Sequence, residues 1–293
     1  MAPDFSETDL FEVLEPDVQR IPLVLNSPHS GRRYTQDFLD QSRLDALAIR
    51  RSEDHYVDEL FSSGVDLGAP MLRAHFPRAF LDVNREPYEL DPRMFRDPLP
   101  EHFNTNSPRI AAGLGTIARI VSESRPIYRE QLSLEDALMR IEGIYKPYHK
   151  TLQTLLSETV ARFGVAVLID CHSMPRLNRG NDRSAPDVVL GDRYGTSASA
   201  DLTRTAMHLL QDMGFVVIRN KPYAGGFITE HYGRPAKGLH ALQIEVNRGL
   251  YVDEATLARK PDFAKLKHAL STFLAQFSDH VDTFAEETAL AAE

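Results

Sequence analysis

The sequence predicts an α/β protein in which a largely parallel sheet is sandwiched between helices. Residues 165–169 form a near-continuous apolar run, which is typical of a strand buried on both faces. Residues 21–25 form a second short apolar strand. Apolar side chains also recur at helical spacing over residues 133–163, with Ser133 as the expected cap and Pro147 expected to kink or split the helix.

Polar side chains follow both of these strands. His172 lies in the segment 170–173, directly after the first strand, and His29 lies in the segment 26–31, after the second. Open α/β sheets bind ligands at the carboxyl ends of their strands, so we expect both imidazoles at one edge of the sheet. Each histidine alone also fits a structural role at a strand end. The pair favours metal ligation, because imidazole is a common zinc ligand.

Composition excludes several classes of protein. The 293 residues are 42% hydrophobic and 26% charged, as in ordinary globular proteins. A net charge of −9 without a basic run argues against a nucleic-acid partner. A single cysteine, Cys171, excludes an intramolecular disulfide. With an acidic amino-terminal segment and no membrane-length apolar run, we expect a cytoplasmic protein that binds no membrane.

The chain shows no repeat and no linker that would divide it. We expect a lead-in segment over residues 1–20 and a single domain over residues 21–293. The sequence leaves the oligomeric state open.

A carboxylate from residues 53–54 is the expected third metal ligand. Residues 44–61 predict a helix with one broad apolar face, and this segment contains Glu53 and Asp54. The surrounding charges also fit a solvated turn. Either acid would complete a set of two histidines and one carboxylate with His29 and His172, which is the open set used by hydrolytic zinc enzymes.

Asn84 and Arg85 are candidates for substrate binding. They follow a predicted strand over residues 79–83, and a guanidinium beside an amide suits the bidentate capture of a carboxylate. A surface turn is the alternative. Other residues that could contact an acidic ligand lie in an arginine-rich loop, in a glycine-containing segment and after the last strand: Arg179, Arg183, His231, Tyr232 and Arg248.

Glu245 is the candidate general base. It lies near the end of an apolar strand predicted over residues 241–246, and a glutamate there is rarely buried unless it is paired or bound to a metal or substrate. Beside a metal it could activate water and later protonate a leaving amine. With Arg85 as the anchor, the chemistry so assembled is hydrolysis of an amide in a small anionic molecule.

Six motifs in matching order resemble the N-formylglutamate amidohydrolase family, a branch of the zinc-carboxypeptidase-like hydrolases. They are SPHSG (27–31), SEDHYVDEL (52–60), DVNR (82–85), IDCHSMP (169–175), GGFITEHYG (225–233) and QIEVNRGLY (243–251). The resemblance implies a carboxypeptidase-like (phosphorylase/hydrolase-like) fold around a mixed sheet. It also implies one zinc ion, with another divalent metal as an alternative, and hydrolysis of N-formyl-L-glutamate to formate and glutamate in histidine breakdown.

The resemblance also assigns roles to residues. It favours Asp54 over Glu53 as the acidic ligand, places the carboxylate-binding pair on Asn84 and Arg85, and places the catalytic glutamate on Glu245. Three alternatives stay open: another N-acyl amino acid as substrate, an inactive acid-binding member of the fold, and a serine or cysteine hydrolase. The last is disfavoured because the chain has no G-x-S-x-G motif and because Cys171 points away from His172 if the strand pleat continues.

Overall fold

A computed structural model describes residues 10–121, 125–176 and 185–290. The chain divides into two compact units. The first contains Pro28–Glu53 and Ala74–Thr151 together with the chain up to Glu12, and the second contains Val13–Ser27, Asp54–Arg73 and Leu152–Glu293. The expectation of a single domain over residues 21–293 stays a prediction.

A seven-stranded sheet carries the second unit. Its strands are, in chain order, β1 (Phe11–Leu14), β2 (Leu23–Ser27), β3 (Met71–Ala74), β6 (Ala166–Met174), β7 (Val188–Gly191), β8 (Val217–Arg219) and β9 (Leu239–Asn247). Their order across the sheet is β1-β3-β2-β6-β9-β7-β8. β2 pairs in parallel with β3 and β6, β6 with β9, and β7 with β8, whereas β7 and β9 are antiparallel. The sheet is therefore mixed and largely parallel, which confirms the predicted fold class.

The remaining elements are short strand pairs and helices. The pairs are β4 (Ile120–Val121) with β5 (Arg125–Pro126), and β10 (Val252–Asp253) with β11 (Ala258–Arg259). The helices are α1 (Gln36–Gln41), α2 (Val57–Leu60), α3 (Ser63–Asp66), α4 (Pro108–Ala111), α5 (Leu134–Arg140), α6 (Lys146–Phe163), α7 (Ala200–Asp212), α8 (Phe227–Tyr232) and α9 (Phe263–Leu290). Among the described residues, no helix combines the length and the apolar character needed to cross a bilayer.

Strand β6 separates an apolar face from a polar face. Because side chains alternate along a strand, Ile169 and Cys171 point to one face and Asp170 and His172 to the other. The apolar face joins a buried core cluster with residues of α2, α7 and α9. The prediction that β6 ends before residue 170 is wrong: the strand continues to Met174, so its polar residues lie within the sheet.

The long helical pattern over residues 133–163 is confirmed, with an interruption. Ser133 caps α5 and accepts a hydrogen bond from the backbone N–H of Asp136 at 3.1 Å. A wide π-helical turn, Ile141–Tyr145, separates α5 from α6. Pro147 is the second residue after this turn, and a proline lacks the N–H that a regular helix interior would use.

Two predicted elements are wrong. Residues 44–61 are not one helix: Ile49–Ser52 is a 3-10 turn, Glu53 is extended (φ −62°, ψ 146°) and Tyr56 is left-handed (φ 58°) before α2 begins. Residues 79–83 form no strand. There the Asp82 carboxylate accepts the N–H of Asn84 at 2.9 Å, and such a local turn competes with strand pairing.

Candidate active site

Asp54 and His172 are in contact in the second unit. Nδ1 of His172 lies 2.9 Å from Oδ2 of Asp54, and both side chains are buried. The other ring nitrogen, Nε2, lies 3.0 Å from Oδ2 of Asp170. Asp170 is itself fixed by Asn26, whose Nδ2 donates to Oδ1 at 2.8 Å. Asp170 therefore orients the ring through Nε2, while Asp54 contacts Nδ1 on the other side of the ring.

This surrounding favours positive charge on or near the imidazole. Burial by itself would lower the pKa of His172, but the Asp170 carboxylate and the hydrogen bond that the ring donates to Asp54 outweigh it and raise that pKa well above its usual value. Metal binding requires the neutral imidazole, so a cation in this position would replace the proton.

Asp54 has two further partners at the end of β6. The hydroxyl of Ser173 donates to its Oδ1 at 3.2 Å, and Nη2 of Arg248 lies 3.4 Å from the same oxygen. Nε of Arg248 also donates to the Ser173 hydroxyl at 3.0 Å. Arg248, which the sequence suggests as a second anchor for an acidic substrate, is thus buried against Asp54 and neutralises part of its charge.

Glu245 lies beside His172 in the sheet. The two residues are direct partners in the parallel register of β6 and β9, so their side chains leave the same face. Glu245 is 7% exposed. Gln243, two residues earlier on the same face, donates from Nε2 to Oε1 of Glu245 at 2.8 Å.

His29 has an orienting carboxylate in the first unit. Its Nε2 lies 2.7 Å from Oδ1 of Asp82, and both residues are buried. The second oxygen of Asp82 accepts from Nη2 of Arg78 at 2.8 Å and lies 3.6 Å from Nη2 of Arg85. Burial would raise the pKa of Asp82, but the charges of Arg85, His29 and Arg78 hold it well below its usual range. Asp82 therefore stays ionised and fixes the ring.

The predicted ligands His29, Asp54 and His172 form a group that could hold a metal ion. One ligand atom from each lies within 4.8 Å of the other two, and all three side chains are buried. Two imidazoles and one carboxylate are the donors of open zinc sites, and the carboxylates behind both rings are the usual partners of zinc-ligating histidines. The residues present therefore fit zinc.

Glu53 has different partners from its neighbour Asp54. Its carboxylate accepts from the Tyr34 hydroxyl at 2.8 Å and from Nε and Nη2 of Arg50 at 2.9 and 3.2 Å. These contacts all lie within the first unit. Of the two acids that the sequence leaves open, Asp54 is the one whose carboxylate contacts His172.

Asn84 is buried and Arg85 is partly buried near Asp82. Nε of Arg85 donates to the Leu114 carbonyl at 2.9 Å, and its Nη1 donates to the Asn84 carbonyl at 2.8 Å. The Tyr145 hydroxyl donates to the backbone oxygen of Arg85 at 2.6 Å. These contacts give the guanidinium one fixed direction.

The remaining predicted contacts divide into two groups. His231 and Tyr232 lie on α8, where the His231 ring stacks on Phe227 with centroids 5.0 Å apart and Tyr232 is buried. Arg179 and Arg183 lie outside the described residues. Cys171 is fully buried in the apolar core and burial raises the pKa of its thiol well above the usual value, which opposes a role as nucleophile.

Several supporting residues were not identified from the sequence. Asp170 orients His172, Asp82 orients His29, and Gln243 contacts Glu245. Two of them could have been found from the two-residue period of a strand. Asp170 lies two residues before His172 and Gln243 two residues before Glu245, so each shares a face with a site residue. Asp82 gave no such signal, because it lies in a turn.

The mixed, largely parallel sheet and this donor group fit the class of amide-hydrolysing enzymes. Residues 21–252 match the family model of N-formylglutamate amidohydrolase, and the chain belongs to that family. It is 30% identical over 267 residues to an N-formylglutamate deformylase of Pseudomonas aeruginosa, covering 88% of this chain and 93% of the relative. It is also 30% identical to one of Pseudomonas putida, covering 80% and 83%.

Solved structures agree with the family assignment. The crystal structure of an N-formylglutamate amidohydrolase from Ralstonia eutropha JMP134 has a TM-score of 0.86 and 33% identity, over 93% of this chain and 98% of the other. The structure of gene product Atu2144 from Agrobacterium tumefaciens, at 17% identity and a TM-score of 0.69 over 95% and 99% of the chains, supports the fold alone.

Proposed function

We propose that the protein hydrolyses N-formyl-L-glutamate to formate and L-glutamate with one zinc ion held by His29, Asp54 and His172. The observation that carries this is the buried group of two imidazoles and a carboxylate within 4.8 Å. The names of the relatives supply the substrate. A cytoplasmic role in histidine breakdown is part of the same proposal.

The residues beside the donor group perform the proton transfers. Bound zinc lowers the pKa of water and polarises a carbonyl oxygen. Glu245, held on the same face as His172, accepts the proton of the attacking water and delivers it to the departing amine of glutamate. Asp170 and Asp82 keep the two imidazoles in place during both transfers.

Cationic side chains select the acidic substrate. Arg85, with Asn84 beside it, binds one carboxylate of the substrate so that the formyl carbonyl is held near the metal ligands. Arg179 and Arg183 are the candidates for the second carboxylate, since Arg248 is bonded to Asp54 and Ser173. His231 and Tyr232 of α8 complete the proposed substrate contacts.

Replacement of Glu245 by glutamine tests the mechanism. Glu245→Gln keeps the size of the side chain but removes the base, so formate release should fall by about two to four decades in kcat. Its bound zinc, measured by elemental analysis, should stay at the wild-type level. Glu89→Gln is the matched control, because Glu89 is also a buried glutamate and its carboxylate accepts from the Ser107 hydroxyl.

Two results would contradict the proposal. Near-wild-type turnover of Glu245→Gln would assign the base to another residue. Turnover that a chelator leaves unchanged would remove the metal from the mechanism. Parallel assays with N-acetyl-L-glutamate and N-formyl derivatives of neutral amino acids decide whether the formyl group and the acid are both required.

A further inference from the structure

Gln243 connects the candidate base to a loop outside the donor group. Its side chain is 4% exposed and lies on β9, on the same face as Glu245. Nε2 of Gln243 donates to Oε1 of Glu245 at 2.8 Å. This hydrogen bond restrains the carboxylate on which the proposed proton transfers depend.

The orientation of the Gln243 amide is set by a backbone group. The N–H of Gly226 donates to Oε1 of Gln243 at 2.9 Å. An N–H can only be met by the amide oxygen, so the NH₂ end must face Glu245. The two bonds together leave the amide one orientation.

A missing side chain on the neighbouring strand permits this contact. Gly191 of β7 is the register partner of Gln243, and a Cβ built on it would lie 2.6 Å from the backbone nitrogen of Gly225. Gly225 itself has φ +111°, a conformation that other residues rarely adopt. The two glycines let residues 224–226 approach the strand closely enough for the N–H of Gly226 to reach Gln243.

We propose that Gln243 is a positioning residue for Glu245, oriented by the glycine turn over residues 224–226. The inference rests on the proposed function, in which Glu245 is the base. A donor aimed at one carboxylate oxygen restrains the direction in which the carboxylate of Glu245 points. Gly226 is also the N-cap residue of α8. The position of this turn therefore determines both where α8 begins and, through Gln243, how the carboxylate of Glu245 is oriented.

Gln243→Met is the primary test. Methionine keeps the length and volume of glutamine but makes neither hydrogen bond. A hydrogen bond to a charged group is worth enough that kcat for N-formyl-L-glutamate should fall about 10- to 100-fold. KM should change less than about twofold and zinc content should not change, because Gln243 contacts neither the proposed ligands nor the proposed anchor.

A matched control separates positioning from stability. Thr159→Val removes a fully buried hydroxyl that donates to the Leu155 carbonyl and accepts from Gln19, at the opposite end of the sheet. It should lower the melting temperature as Gln243→Met does, yet leave kcat and KM unchanged. A Gln243→Met protein with kcat within twofold of wild type, or one that loses zinc along with activity, would overturn the inference.

Two further variants test the path of the effect. If Gln243 acts through Glu245, Gln243→Met added to Glu245→Gln should cause no further loss of kcat, and an additional tenfold loss would overturn this. Gly191→Ala should displace the turn and reproduce the loss of kcat. Wild-type turnover of this variant would show that the turn does not position Glu245. If Glu245→Gln itself turns over normally, the proposed function fails; if it is slow while Gln243→Met is normal, only the positioning role fails.

Discussion

The adjacent acids Glu53 and Asp54 are both buried but have entirely different partners. Glu53 is held by Arg50 and Tyr34, and Asp54 by His172, Ser173 and Arg248. The extended backbone at Glu53 turns the two side chains apart, which a continuous helix could not do. Two consecutive residues thus have different roles: Glu53 is a structural acid and Asp54 is a candidate metal ligand.

This separation predicts opposite results for two conservative variants. Asp54→Asn should weaken zinc binding by more than about 100-fold, because a charged ligand contributes more than the supporting groups whose loss costs 10- to 100-fold. Glu53→Gln should keep zinc affinity and lower the free energy of unfolding by about 1 kcal/mol, since Arg50 is partly exposed. Titration calorimetry with zinc and urea unfolding measure the two quantities.

The variants serve as controls for each other. If Glu53→Gln lost zinc and Asp54→Asn retained it, the acidic ligand would be Glu53. Equal effects of both changes on zinc affinity would indicate a general disturbance of the segment.

At the scale of elements, the amino-terminal cap of α5 is a single side-chain hydrogen bond, which one substitution removes without changing other contacts of the helix. The Ser133 hydroxyl accepts from the N–H of Asp136, and this side-chain bond satisfies a donor that the helix leaves unpaired. Ser133→Ala should therefore lower the free energy of unfolding by about 1 kcal/mol. Ser133→Asp, which keeps an acceptor, should restore it.

The cap variants should leave kcat unchanged. Denaturant unfolding measures the stability and formate release measures the turnover. An alanine variant as stable as wild type would show that water or the nearby Asp97, which accepts from the N–H of Leu134, replaces the cap.

Elements with a periodic apolar pattern could be predicted from the sequence. Elements that depend on contacts between residues far apart in the chain could not. The strands β6 and β9 were found because their apolar residues alternate or run continuously, and the paired imidazoles followed from strand ends. The extended residue Glu53 could not be predicted in the same way, since its carboxylate accepts from Tyr34, nineteen residues away. The roles of Asp170 and Gln243 required the register between β6 and β9, which no single strand reveals.

At the scale of the whole molecule, residues 29, 54 and 172 meet although they are far apart in the chain. Their donor atoms can come together only in the folded protein, so the candidate metal site depends on tertiary structure. Folding and metal binding should consequently support each other. Global stability also depends on groups outside the donor group, and His240 is one of them.

His240 predicts a loss of stability in mild acid. The residue lies on β9, is buried, and its Nδ1 accepts the N–H of Ser199 at 3.2 Å while its ring meets Phe284 edge-on. Burial lowers the pKa of His240 to about 4. In the unfolded chain the pKa of this histidine has its ordinary value near 6.5. Between about pH 4 and pH 6.5 the unfolded chain therefore binds a proton that the folded protein does not bind.

The sign and size of the effect follow from proton linkage. Stability from neutral His240 is complete above about pH 6.5 and is lost as the pH falls toward 4, by about 3 kcal/mol in all. His240→Asn keeps an acceptor for the N–H of Ser199 but cannot titrate. Its unfolding free energy should be lower at pH 7.5, and it should fall less steeply between pH 6.5 and 4, by up to about 1.4 kcal/mol per pH unit. Urea unfolding at several pH values measures both slopes, and identical slopes would show that His240 is protonated in the folded protein.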